Sequence, residues 1–155
     1  MAQPNRVVIA LSALMGGASA GVAIGTVAAW AANWMNMNGK TWFGDPRNAF
    51  VTGVVFAILV AAFLSWTMSL GLEETWRRAA ISFTAGVGAL GGSLGAYGLG
   101  LLPFMLPSVF MTLGEFSQYL VPVYLVLSVI IFVVCWRVNH RQHQLMGGAA
   151  VSPAA

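Results

Sequence analysis

The two histidines of the chain are the first residues whose spacing could serve chemistry. His140 and His143 lie three positions apart, so on one helical turn they could share a metal ion. Arg137 and Arg141 flank them and would repel a cation, and no carboxylate or cysteine is near in the sequence. We therefore predict no metal site here and interpret both histidines as polar residues at a membrane surface.

Methionine thioethers are the second possible ligand set, since they bind Cu(I). Four methionines fall in connections that we predict on the same side: Met35, Met37, Met105 and Met111. No histidine accompanies them there, and methionine also fills irregular apolar gaps. We predict no copper site and no other cofactor.

Catalysis lacks the residues it needs. Asp45 and Glu115 are the only acids on that predicted side, and they could act as an acid–base pair only if folding joined them. Glu115 at the head of a helix is better explained by the helix dipole. Cys135 is the only cysteine, which excludes an intramolecular disulfide and a multi-cysteine zinc site. We predict that the chain is not an enzyme and has no catalytic residue.

Long apolar stretches carry these residues. Hydrophobic residues make up 59% of the 155 positions and charged residues 7%, whereas soluble domains have about 25% charged residues. Stretches of spanning length occupy about residues 7–32, 50–72, 79–102 and 119–138. They do not alternate as barrel strands would. The sequence predicts an all-α membrane protein: one four-helix transmembrane domain over residues 1–138, with a short cytoplasmic tail over residues 139–155.

Turn and capping signals mark the connections. Asn38-Gly39 and Asp45-Pro46 punctuate the long first connection, and we expect Asn48 to cap the second helix. In the second connection, Glu73 and Glu74 precede Arg77 and Arg78 by four residues each, which predicts two ion pairs at a tight helical corner. Residues 103–114 are too apolar for an open loop and too short to span, so we predict a short interfacial or re-entrant segment before helix 4.

Basic residues predict the orientation. With four spans, one side carries five basic residues: Arg6, Arg77, Arg78, Arg137 and Arg141. The other side carries Lys40 and Arg47. The positive-inside rule then assigns both termini to the cytoplasm, in a cell membrane of the bacterial inner-membrane type. The net charge of +3 comes without any basic run, so we predict no nucleic-acid partner.

The first apolar stretch also resembles a secretion signal. Ala18-Ser19-Ala20 fits the small-x-small cleavage pattern after Arg6. The apolar run nevertheless continues through to Trp30, for another half-helix. We therefore expect an uncleaved first transmembrane helix, although cleavage near residue 20 stays open.

Small residues at intervals of four form the most specific pattern in the chain. Residues four apart lie on one helix face, and small side chains let helix backbones approach closely in lipid. We predict that helices 1 and 3 are Gly-rich and closely packed. Helix 3 has two offset small-residue faces, so one could pack within the chain and the other against a neighbouring subunit, or both could pack within one chain. The predicted helix-packing interface comprises Gly17, Gly21, Gly25, Gly88, Gly91, Gly92, Gly95, Ala96 and Gly100.

Abundant small-residue interface without an ionisable group inside the spans favours one function. We predict an accessory, scaffold or assembly subunit of a larger membrane complex, with the lipid bilayer and other membrane subunits or copies of itself as partners. The alternative is a homo-oligomeric small-solute channel or transporter. Its polar lining would come from Thr26, Thr52, Thr67, Ser82, Thr84, Ser93 and Tyr97.

Overall fold

The computed structural model describes residues 5–39, 41–72, 74–105 and 107–150, with the backbone alone at 36, 37, 41, 43, 46, 100–105, 107–121 and 147–150. These residues form four long helices and one 3-10 turn, and no strand occurs in the described ranges. The helices are α1 (Arg6–Met37), α2 (Pro46–Ser69), α3 (Thr75–Met105) and α4 (Pro107–Ala150), and the turn is Thr41–Gly44.

Four of the described helical segments are long and apolar enough to cross a membrane. They are Arg6–Met35, Arg47–Ser69, Thr75–Leu99 and Pro122–Met146. A span needs about 20 apolar residues because the hydrocarbon core is ~30 Å thick. The prediction of an all-helical chain with four membrane-length helices is confirmed, which indicates a multi-pass membrane protein.

Helix α1 lies at the centre of the bundle. Its longest contact is with α3, and it also touches α4 and α2. Ala13 of α1 and Ala85 and Ala89 of α3 are fully buried, so the contact between these two helices is made of small side chains. Close approach of backbones therefore replaces the large interlocking side chains of a soluble core.

One end of the bundle gathers both described chain ends and the second connection. The Asn5 backbone N–H donates to Gln142 Oε1 at 3.1 Å, and His140 lies beside Gly71. Gly71 takes a φ of +81°, which a glycine adopts without strain in the turn between α2 and α3. We call this the terminal end; the opposite end holds Trp42, whose Nε1 donates to Thr52 Oγ1 at 3.2 Å.

The start of α2 differs from the sequence prediction. Asp45, not Asn48, is the N-cap: its Oδ1 accepts from the Arg47 backbone N–H at 2.9 Å. Pro46 follows at the first helical position, where a missing N–H costs nothing. Asn48 already lies inside the helix, and its backbone carbonyl accepts from Thr52 Oγ1. The Asp45-Pro46 pair was the stronger helix-start signal.

Helix α4 absorbs two segments that the sequence predicted separately. Residues 103–105 end α3 and residues 107–114 begin α4, so the proposed interfacial or re-entrant segment is not a separate element there. Residues 139–150 of the predicted tail continue the same helix. With 44 residues at ~1.5 Å each, α4 is about 66 Å long, well beyond the thickness of a bilayer core.

The second connection has a different ion pair from those predicted. Glu74 pairs with Arg77 Nε at 2.9 Å, an i,i+3 contact, instead of with Arg78. Glu73 lies outside the described residues, so its pair with Arg77 stays a prediction. The Arg78 backbone N–H donates to the Glu74 carbonyl at 3.0 Å, which starts α3 directly after the turn.

Asp45→Ala should lower the free energy of unfolding by about 1 kcal/mol, because it leaves an N-terminal N–H of α2 without its acceptor. The measurement is the midpoint of helix loss in a denaturing-detergent titration, followed by circular dichroism. Asn48→Ala is the control, and we expect it to shift the midpoint by less than half as much. Equal effects of the two substitutions would contradict the assignment of Asp45 as the cap.

Candidate functional site

Glycines of α1 lie directly against the backbone of α3. A methyl group on Gly17 would overlap the carbonyl oxygen of Ala85, and one on Gly21 would overlap that of Ala89. A methyl group on Gly25 would lie 2.5 Å from the Ser93 carbonyl oxygen. In each pair the residue numbers differ by 68 and rise together, so the two helices are parallel and in a constant register.

Glycines of α3 meet α1 in the same way from the other side. A methyl group on Gly88 would overlap the carbonyl oxygen of Leu14, and one on Gly92 would overlap that of Ala18. The Cβ atom of Ala96 lies 3.1 Å from where a side chain on Gly25 would begin. The residues of this α3 face and the α1 glycines are therefore brought together in one contact.

A second glycine face of α3 contacts nothing that the structure describes. Around Gly91 and Gly95, no described atom lies within 4 Å of the position that a side chain would occupy. Gly98, which the sequence reasoning missed, is equally open and follows Gly95 by three residues. The Gly100 contacts lie outside the described side chains. We call Gly91, Gly95 and Gly98 the open glycine face.

Large apolar side chains extend this open face along α3. Phe83, Val87 and Leu99 are all strongly exposed, with Phe83 at 74%. Together with Gly91 and Gly95 they give a strip that is bulky at both ends and flat in the middle. A helix of another chain could approach closely only at the flat part, because side chains hold it off elsewhere.

Two further glycines make contacts that the sequence did not predict. Gly16 leaves room for the end of Met68, and a side chain there would also start 3.1 Å from the Cβ of Cys135. A Cβ atom added to Gly53 of α2 would lie 2.5 Å from the ring of Tyr97. Neither contact could be predicted from a fixed spacing of small residues, because that spacing indicates contact with a neighbouring backbone, whereas each of these glycines makes room for a large side chain.

The serine and threonine hydroxyl groups that could line a channel donate to backbone carbonyls instead. Ser82 Oγ reaches across from α3 to the Ser65 carbonyl of α2 at 3.2 Å. Ser93, 1% exposed, donates within its own helix, and Tyr97 is buried. The other donors bond one turn back: Thr26 to Val22, Thr52 to Asn48, Thr67 to Leu64 and Thr84 to Ala80.

The residues considered for metal chemistry are spread over separate settings. The His140 ring stacks on Trp136 with centroids 4.9 Å apart, while His143 faces a cavity at the terminal end. In the described part of the chain no three His, Cys, Asp or Glu residues form a group that could hold a metal. Side chains of Met37, Met105, Met111 and Glu115 lie outside the described residues.

Residues from three helices together line the cavity at the terminal end. Arg6 begins α1, Arg77 lies in the first turn of α3, and His143 lies near the end of α4. The sequence reasoning used Arg6 and Arg77 for orientation, paired Arg77 with Glu73, and interpreted His143 as a polar residue at the membrane surface, without joining the three. They lie 71 and 66 positions apart, so no local spacing could have signalled the site.

The glycine faces of α3 and this cavity are the features that could carry a function. No protein family model, curated protein or solved structure matches the chain. A functional proposal therefore depends on the surfaces and contacts described above.

Gly21→Ala should destabilise the folded chain by about 1–3 kcal/mol, because its methyl group meets the Ala89 backbone, which cannot turn aside. Gly91→Ala is the matched control, and it should leave stability unchanged or raise it by up to about 1 kcal/mol, since alanine favours helix and nothing blocks it. Denaturing-detergent titrations of both variants provide the measurement. Similar losses in the two would contradict the distinction between the faces.

Proposed function

We propose that the chain is a small integral membrane protein that works as an accessory, scaffold or assembly subunit of a larger membrane complex. The observation that carries the proposal is the open glycine face of α3, which no described residue covers, while the adjacent glycine face packs against α1. Lipid cannot fill a flat strip as closely as a helix can, so such a face is typical of a helix–helix contact.

Glycine in a helix is itself a reason to expect a partner. Each glycine costs about 1 kcal/mol of helix propensity relative to alanine. Gly21 and Gly92 recover this cost through contacts between α1 and α3. Gly91, Gly95 and Gly98 gain nothing comparable from the described residues, so a neighbouring helix is the contact that would offset it.

A homo-oligomeric small-solute channel is the alternative, and the hydroxyl groups weigh against it. The donors of the threonines and serines assigned to its lining are taken by backbone carbonyls, and Ser93 and Tyr97 are buried inside the bundle. A permeating polar solute would meet few free donors on the outer faces. The packing role therefore has more support than transport.

The orientation proposed for this subunit follows from the arginines. Arg6 and Arg77 line one cavity, which supports placing the start of α1 and the second connection on the same side of the membrane. The positive-inside rule assigns that side to the cytoplasm of a bacterial-type inner membrane.

Extraction in mild detergent should yield the chain with foreign membrane polypeptides in fixed stoichiometry. Gly91→Leu combined with Gly95→Leu should release them, because two bulky side chains would fill the open glycine face. The measurement is native mass with every co-purifying chain identified. Ala62→Leu, at an exposed position of α2, is the control and should keep the partners.

A single species at a small multiple of 16.4 kDa would contradict the accessory role and favour the channel, to be followed by flux assays in liposomes. Foreign chains retained equally by the double variant would contradict the open glycine face as the contact.

A fluorescent protein fused after residue 155 should fold and fluoresce in a bacterial host, because that reporter folds in the cytoplasm. Alkaline phosphatase at the same point should be inactive. As control, the phosphatase inserted after Gly39, in the first connection, should be active. The reverse pattern would overturn the orientation.

A further inference from the structure

A cavity of about 200 Å³ opens at the terminal end between the starts of α1 and α3 and the last turns of α4. Its lining is divided by chemistry. Arg6, Arg77 and His143 supply polar groups, while Ile9 and Met146 belong to the apolar part. A cavity with a cationic edge and an apolar wall matches a molecule that is itself charged at one end and apolar beyond it.

The charges around this cavity do not cancel. Arg77 is paired with Glu74 at 2.9 Å, and its guanidinium also lies 5.5 Å from the centre of the Trp76 ring. Arg6 has no ion-pair partner among the described residues, and it is exposed. Arg6 and Arg77 both line the cavity and only Arg77 is paired, so an excess positive charge remains there, which attracts an anion.

The helix directions add to the same field. Because α1 and α3 are parallel and both begin at the terminal end, the N–H groups of two helix starts are directed toward this region. Helix N-termini carry a partial positive charge that favours phosphate and carboxylate groups. Asn5 Oδ1 already accepts a hydrogen bond from the Val7 backbone N–H at 2.9 Å. Other N–H groups of that first turn have no acceptor within the helix and could bind an anion.

His143 supplies a second observation that points to a ligand at this cavity. Its Nε2 atom is buried, and no hydrogen-bond partner exists for it among the described residues. Buried polar atoms are nearly always hydrogen-bonded, so an orphan atom that lines a cavity points to a group that the cavity takes up. An anionic oxygen would accept a hydrogen bond from this nitrogen in its protonated tautomer.

Size and surroundings select the source of the anion. The volume is below the ~300–1,000 Å³ that whole drug-sized ligands occupy, so the cavity suits a headgroup with the first carbons attached. The turns of α3 that carry and follow its lining residues expose apolar side chains, among them Phe83 and Val87. We propose that this cavity binds the phosphate headgroup of an anionic membrane lipid, with the acyl chains against the helix surface. Basic pockets between transmembrane helices bind lipid headgroups in this way.

The test is native mass spectrometry of the full chain, delipidated and then titrated with either phosphatidylglycerol or phosphatidylcholine. The unaltered chain should prefer phosphatidylglycerol. Arg6→Gln combined with Arg77→Gln should lower the affinity for phosphatidylglycerol by roughly tenfold, because charge-assisted hydrogen bonds to phosphate are lost. Arg78→Gln combined with Arg141→Gln removes the same charge from exposed positions of the same helical region outside the cavity, and it should keep the preference.

A second variant guards against a folding defect in the first. Ala10 lines the cavity from an exposed position, so Ala10→Phe should fill the space without changing the charge. It should therefore also lower the affinity for phosphatidylglycerol. Equal affinity for the two lipids, or equal losses in the two arginine pairs, would overturn the proposal. Displacement of the lipid by millimolar glycerol phosphate would also overturn it, because the cavity would then be a site for soluble phosphate.

Discussion

The direct contact of the α1 and α3 backbones determines the arrangement of the other helices. Gly17, Gly21 and Gly92 have no side chain to hold the two helices apart, so carbonyl groups of one helix lie on the glycines of the other. Dispersion between closely fitted backbones takes the place of the hydrophobic force that lipid does not supply. The remaining helices, α2 and α4, then lie along this central pair.

The same contact explains why α3 has two kinds of glycine. Positions such as Gly88 meet α1, and positions such as Gly91 lie on an adjacent face because three residues advance a helix by less than one full turn. A helix with small residues on both faces joins two neighbours. One of these is inside the chain, and the proposed subunit role assigns the other to a different polypeptide.

Hydropathy sufficed to predict the four helices because the requirement for spanning a bilayer is physical and nearly independent of detail. The helix ends depend on which of several nearby capping residues is used, and there the prediction was wrong: Asp45 caps α2 where Asn48 was expected. The cavity was beyond prediction, since Arg6, Arg77 and His143 approach one another only through the packing of three helices. Charge counting assigned those arginines to one side without showing that they share a site.

The constant offset of 68 residues between α1 and α3 has a consequence for biosynthesis. When Gly17 has left the ribosome, its contact Ala85 has not been made, and at about 5–20 residues per second it follows roughly 3–14 s later. During that interval α1 is a membrane helix with its glycines facing lipid. Any other small-residue helix nearby competes for the same surface until α3 is inserted. The order of synthesis therefore makes α1 the helix of this chain most exposed to mispairing.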